Sequence, residues 1–290
     1  MKQDLLELLQ EKIPSFSKGQ RKIACYLLEH YDKAAFYTAF RLGKEVGVSE
    51  STVVRFAAEL GFAGYPQLQS ALYEQMQTHL TTVQRMQVAE GQLGESVLFQ
   101  ILQLDIDKIR STLSELSEED FTKAVDRIVA ARKIYIMGTR SAAPLASFLY
   151  YYFNLMLEQV HLVDTTSSSE MFEQLLRINQ DDLLIGISFP RYSKHTVQAF
   201  RYAKQSGAGI IGITDSEKSP LAGDAEVLLL AKSEMVSFLD SLVAPMSLLN
   251  ALIVSVGIRK RVEILDTFCR LEQIWEEYGI YASVEGGNAK

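Results

Sequence analysis

Three short runs of residues carry the oxygen and nitrogen groups that could hold a small anion. Gly138-Thr139-Arg140-Ser141 offers two hydroxyls, a guanidinium and a glycine that lets backbone come close. Thr165-Thr166-Ser167-Ser168-Ser169-Glu170 offers hydroxyls and one carboxylate. Ser188-Phe189-Pro190-Arg191-Tyr192-Ser193-Lys194-His195 adds two serines, a phenol and two cations in an otherwise acidic half. Each run follows an apolar stretch and precedes a helical one. Free amide N–H groups at a helix start can therefore join the side chains around an anion. A ligand suited to this set is small, anionic and highly oxygenated, and a sugar phosphate fits better than a flat apolar molecule. The simpler alternative is that these Ser and Thr residues only cap helices.

Other chemistry is less well supplied. The run GTRSAA lacks the later glycines that a dinucleotide loop needs for pyrophosphate approach, although Asp164 sits where a ribose-binding acid could be. No Walker loop is present, and no cofactor is expected. Glu170 could act as a base between adjacent carbons, accept a sugar hydroxyl, or simply occupy a helix start, where acids are favoured. His30, His161 and His195 are isolated and show no metal-ligand spacing, so no metal site is expected. Ser237 and Ser241 are polar positions with no assigned role.

A second kind of chemistry lies near the N-terminus. The segment 39–62, AFRLGKEVGVSESTVVRFAAELGF, has the pattern of a helix-turn-helix. Leu42, Val46, Val48, Val53 and Phe56 are spaced to fill the wedge between two crossing helices. Gly43 is small where they approach, and Gly47 falls in the turn, where positive φ is cheap only for glycine. Ser49 can cap the second helix. Glu50, Ser51, Thr52, Arg55 and Ala58 then point outward, with Val54 partly exposed. Serine and threonine at the start of such a helix reach phosphates or base edges, and Arg55 can read guanine or anchor phosphate. Lys18, Arg21, Lys22, Arg41 and Lys44 can contact the DNA backbone from the preceding helices.

Two kinds of scaffold must position these groups. Residues 1–80 read as helical throughout, with apolar faces at Leu5, Leu6, Leu8 and Leu9 and at Ile23, Tyr26 and Leu27, and Ser17 as an N-cap. Residues 81–95 are polar, contain two glycines and read as a linker. One helical segment is expected over roughly 96–131, with Leu98, Ile101, Leu102, Ile106, Ile109 and Leu113 at helical spacing. After Lys133, short continuous apolar runs at 133–138, 159–163, 182–188, 208–214 and 225–231 alternate with helical stretches. That is the pattern of a parallel sheet buried on both faces. Helices at about 234–258 and 262–278 close this half. The expected division is 1–80, 81–95 and 96–290.

Composition bounds the rest. The chain has 290 residues, 48 % hydrophobic and 22 % charged, the mix of an ordinary soluble globular protein. Two cysteines, Cys25 and Cys269, exclude a cysteine-rich secreted scaffold and fit a reducing cytoplasm. The N-terminus lacks the apolar core of a signal peptide. Residues 241–258 carry no formal charge, yet Pro245, Asn250 and three serines argue for a buried or subunit-interface helix rather than a membrane span. Net charge is −7, but residues 1–80 hold nine Lys/Arg and nine Asp/Glu, so the acidity belongs to the C-terminal half. A neutral segment can bind DNA if its bases share one face.

The segment from Ser17 to Gln69, including VSESTVVRF and LGF-x-GY-x-x-L, resembles the DNA-binding domain of the RpiR family of bacterial transcriptional regulators. IMGTRSAAPLA, LIGISFPRYSKHT and ITDSEKSPLAGDAEVLL resemble the SIS sugar-isomerase domain that this family carries. The resemblance implies an all-α helix-turn-helix domain followed by an α/β domain, a five-stranded parallel sheet in a flavodoxin-like three-layer sandwich. It also implies a homo-oligomeric regulator, dimer or tetramer, that binds operator DNA and senses a phosphosugar. On the family pattern Ser141 matches the serine after the first strand, Ser188 the first serine of the usual SxSG-x-T loop and Ser193 its threonine-like phosphate ligand, while Pro190 and Arg191 replace the usual Ser-Gly, losing a hydroxyl and gaining a guanidinium. Sugar isomerases of the same fold resemble the second half too, and they imply an alternative, an isomerase with Glu170 as base.

Overall fold

The structure is a computed structural model that describes residues 5–35, 37–79, 86, 96–165, 167–234 and 239–281. The expected linker, apart from Met86, and the positions Thr166 and Ser237 lie outside the described residues. The chain forms two compact units, and the boundary between the first two stretches falls at Leu104/Asp105.

The N-terminal unit is helical: α1 (Leu5–Lys12), α2 (Lys18–Ala34), α3 (Ala39–Val46), α4 (Glu50–Glu59) and α5 (Tyr65–His79). Ser17 caps α2 through a reciprocal capping box with Gln20. The core gathers Leu9, Ile23, Leu27, Leu42, Val53, Phe56, Leu68 and Leu72, all fully buried. The faces expected on α1 and α2 are narrower than the sequence suggests: Leu6, Leu8 and Tyr26 are only partly buried. Tyr65 is buried, and its hydroxyl donates to the Tyr37 carbonyl at 2.6 Å. Burial pushes its pKa up to about 12.

The helix expected over 96–131 is two helices, α6 (Val97–Glu115) and α7 (Glu118–Ala130). Ser117 breaks it by accepting the Asp120 N–H as an N-cap, and Glu118, Glu119 and Asp120 suit the positive end that follows. The apolar residues of α6 do not form a core face. Leu98, Leu102, Ile106, Ile109 and Leu113 are exposed, and the one buried residue of the helix is Thr112.

The remainder is a three-layer α/β unit. Strands β1 (Lys133–Gly138), β2 (Val160–Val163), β3 (Asp182–Ile187), β4 (Gly209–Thr214) and β5 (Val227–Leu230) form one parallel sheet in the order β2-β1-β3-β4-β5. Every residue of β3 and β4 is buried, which explains their nearly continuous apolar sequences. Helices α8 (Ala143–Met156) and α11 (Val243–Arg259) join α7 on one face of the sheet. Helices α9 (Ser168–Leu175) and α10 (Lys194–Gln205) cover the other through Met171, Leu175, Ala199 and Phe200. Helix α12 (Arg261–Glu277) follows α11 after a sharp bend.

The helix expected from 234 begins only at Val243, with Pro245 in its first turn, where a missing N–H costs nothing. Seven of its residues are buried, and five of them, among them Leu248, Leu252 and Val256, lie in the unit's own core. The uncharged stretch is therefore chiefly a core helix, and Val254 and Ile258 are its large exposed apolar residues past the first turn. Among the described residues no single helix is long and apolar enough to cross a membrane.

Candidate functional site

The strand order reverses direction between β1 and β3, the position at which open α/β sheets bind ligands beyond their strand ends. Gly138 and Ile187 pair across this junction, so the two following loops begin side by side.

After β1 the chain makes a one-turn 3-10 helix, Arg140–Ala142, before α8 begins. A Cβ on Gly138 would meet the Ala142 carbonyl oxygen at 2.6 Å and Ala146 Cβ at 3.0 Å. The glycine thus makes room for the protein's own helix start as well as for any ligand. Thr139 Oγ1 is enclosed without a hydrogen-bond partner, whereas Arg140 and Ser141 are exposed.

After β3, Ser188 is buried and its hydroxyl accepts the Ser193 N–H at 3.1 Å. Its first role is to close the loop 188–193, a role the sequence did not suggest. Arg191 and Lys194 are exposed, and Ser193 stands at the start of α10 without a side-chain capping bond. Tyr192 is half-buried and donates to Asp215 Oδ1 at 2.9 Å. Arg191 has φ 63° and Arg140 has φ 57°, and among the described residues they are the non-glycine residues with positive φ. This backbone disfavours any L side chain, and such strain concentrates at ligand sites. Positive φ at Arg191 is a conformation that a glycine would adopt without strain.

After β2, Ser167 caps α9. Ser169 donates to Glu173 at 3.0 Å, and Glu170, exposed in the first turn, accepts from Thr165. These hydroxyls behave largely as caps and braces. Two residues that sequence reasoning missed also border the site. Thr196, in the first turn of α10, is fully buried with Oγ1 unpartnered. Asp215, just past β4, takes the hydroxyls of both Tyr192 and Thr214. The signal for Asp215 was its place at a strand end, in ITDSEK.

The imidazole of His161, on β2, has its pKa lowered by burial and then by the Lys133 charge, and its ring meets Tyr135 edge-on. It is a packing residue. Among the described residues no cluster of His, Cys, Asp or Glu could hold a metal.

In the N-terminal unit, the turn between α3 and α4 has the expected geometry. Gly47 has φ 72°, and a Cβ on Gly43 would fall 2.8 Å from the Val48 carbonyl oxygen. Ser49 caps α4 by accepting the Thr52 N–H at 3.3 Å, and its hydroxyl also meets those of Ser51 and Thr52. Leu42, Val53 and Phe56 face inward. Glu50, Ser51, Val54 and Arg55 face solvent, with Thr52 half-buried and the Arg55 Nε–H on the Ser51 carbonyl. Arg41 and Lys44 are exposed on α3, and the Arg41 guanidinium lies 4.5 Å from the Tyr37 ring centre. Lys18, Arg21 and Lys22 line a groove with Glu29 and Glu45, so this flank mixes both signs.

Comparison with known proteins agrees with the two modules. Residues 3–79 match the helix-turn-helix domain of the rpiR family, and residues 127–255 match the SIS domain. The transcriptional regulator HexR of Pseudomonas aeruginosa is 24 % identical over 279 residues, covering 93 % of this chain and 95 % of that one. The sugar isomerase domain of an RpiR transcription factor from Sphaerobacter thermophilus superposes with a TM-score of 0.59 at 26 % identity. It covers 62 % of this chain and 99 % of its own. The Vibrio vulnificus NanR protein complexed with ManNAc-6P has a TM-score of 0.57 at 20 % identity, covering 96 % and 100 %. The two modules, in this order, define a helix-turn-helix transcriptional regulator. The chain belongs to the RpiR family and is a regulator, not an enzyme.

Proposed function

We propose that the strand-end site holds a phosphorylated sugar, and that its occupancy alters how the helix-turn-helix engages operator DNA. The observation that carries this reading is the pair Arg140 and Arg191, each in strained backbone at the end of one of two neighbouring strands. Strained arginines beside the start of a helix gain most when an anion is bound. The enclosed hydroxyls of Thr139 and Thr196 leave donors to spare nearby. Gly138, Ser141, Ser193 and Lys194 complete the phosphate side, and Ser188 and Tyr192 shape the loop. Ser169 and Glu170 are the candidates for sugar hydroxyls. The NanR neighbour supports the fold's fitness for such a ligand.

On the DNA side, Ser51, Thr52 and Arg55 read the major groove from α4. Glu50 borders them, Ser49 presets the helix start, and Arg41 and Lys44 hold phosphates. A cytoplasmic homodimer or homotetramer would present paired recognition helices to half-sites a whole number of turns apart. Glu170 is tied to Thr165 in a helix start, which gives the isomerase alternative no support.

A thermal-shift screen of sugar phosphates, paired with mobility shift on DNA upstream of the protein's own gene, tests the proposal. A ligand should raise the melting temperature, change the DNA affinity, and lose both effects in Arg191→Ala. DNA binding that no sugar phosphate alters would reject the sensing half.

A further inference from the structure

A line of hydrogen bonds leaves the effector loop and ends on α6. Tyr192, in the loop after β3, donates its hydroxyl to Asp215 Oδ1 at 2.9 Å. The Thr214 hydroxyl donates to the same oxygen at 3.1 Å. The Thr214 carbonyl accepts the Ala231 N–H, just past β5, at 2.8 Å. The next amide, Lys232 N–H, donates to Thr112 Oγ1 at 2.9 Å, and Lys232 Nζ reaches Glu115 at 2.6 Å. Thr112 is 7 % exposed, so its hydroxyl is a sheltered acceptor.

The way α6 is held makes this line consequential. Asp105 accepts the Ser241 hydroxyl at 2.6 Å, so α6 is gripped at Asp105, Thr112 and Glu115. Those positions share one helical face by spacing. The grips come from Lys232 and Ser241, and the Ser241 N–H donates to the Ser233 carbonyl at 2.8 Å. The apolar residues Ile106, Ile109 and Leu113 stay exposed. Over this stretch the helix is attached by a few directional polar contacts rather than by broad apolar packing. Such attachments have discrete made and broken states. In the sequence, α6 is also the helix that follows the segment leading from the helix-turn-helix.

Resting on the effector-site reading above, we propose that Tyr192, Asp215, Thr214, Ala231, Lys232 and Thr112 form the positioning relay that links the state of the 188–193 loop to the seating of α6. Asp215 and Thr112 are its two joints. A sugar phosphate that draws Arg191 towards it shifts Tyr192, and the shift is passed along the strand ends of β4 and β5.

Hydrogen–deuterium exchange on the full chain tests the relay without a known effector. Tyr192→Phe and Asp215→Ala should each raise exchange in 105–115 about threefold or more, while α7 exchange stays put, unlike a global loosening. Because coupling is reciprocal, Thr112→Val should raise exchange of the Ser193 amide by a similar factor of about three, and Thr112→Ser should restore it. No change in either direction overturns the relay, as does a matching rise in α7. Inorganic phosphate provides the separate arm. Protection of 138–141 and 188–193 by phosphate in the wild type supports the site. If phosphate protects these loops while the variants show no coupling, only the relay fails. If phosphate leaves both loops unchanged, the effector-site reading fails and the proposal falls with it.

Discussion

Arg140 and Arg191 share a backbone conformation that disfavours both, at φ 57° and 63°, and they follow strands whose last residues, Gly138 and Ile187, pair directly. Left-handed backbone at two arginines on adjacent strand ends is a cost that binding of an anion would offset. The left-handed region costs an L residue about 1 kcal/mol or more relative to glycine. Arg191→Gly should therefore stabilise the ligand-free protein by about 1 kcal/mol while weakening sugar-phosphate binding about tenfold or more. Melting curves with and without ligand check both signs. A variant that loses stability, or keeps full affinity, contradicts the assignment.

Arg55 stands on the exposed face of α4 with its Nε–H on the Ser51 carbonyl, which leaves the guanidinium tip for DNA. Arg55→Ala should weaken operator binding by about 1–3 kcal/mol if it reads a base. If it holds phosphate instead, binding weakens similarly on all sequences and the salt slope falls by about one. Mobility shifts on specific and random DNA at several salt concentrations separate the two. Unchanged affinity on both would remove Arg55 from the interface.

Much of this was legible because burial on both faces leaves a plain mark. The runs that became β3 and β4 are apolar at nearly every position, and every position is buried. The helix-turn-helix was legible because Gly43, Gly47 and Ser49 each answer a separate local demand. What failed to read through was partnership. Leu98, Leu102, Ile106 and Leu113 have core spacing, yet they are exposed because α6 is seated by polar residues. Ser117 carried a capping signal, with acids directly after it, but the apolar periodicity up to Leu116 and beyond Phe121 hid the break. Asp215 gained its role only when β4 was placed beside β3, which periodicity cannot supply.

Gly43 tests the geometry of the α3–α4 crossing directly. An added Cβ would meet the Val48 carbonyl oxygen at 2.8 Å, with Glu50 N and Ser49 C at 3.4 Å. Backbone on that side cannot swing away as a flexible side chain would. Gly43→Ala should cost about 1–3 kcal/mol of stability in the N-terminal unit, as overpacking does. DNA binding should fall further than unfolding alone explains, because the angle between α3 and α4 changes. A variant with unaltered melting and DNA affinity would show that the helices can part at no cost.

Tyr65 supplies a pH signature for the same unit. Its hydroxyl is buried and donates to the Tyr37 carbonyl, and burial raises its pKa from 10.0 to about 12. The unfolded chain thus loses this proton at a lower pH than the native one. The neutral phenol's contribution to stability is complete below pH 10.0 and is lost as pH rises through about 12. Tyr65→Phe removes the titration and one buried hydrogen bond. At neutral pH it should cost about 1 kcal/mol, since the Tyr37 carbonyl also receives the Gln69 side chain at 3.1 Å and is not orphaned. Between pH 10 and 12 the variant's stability should fall less steeply than the wild type's, narrowing the gap. Urea titrations across that range measure both slopes, and parallel slopes would mean that Tyr65 ionises as freely in the native protein as in the unfolded one.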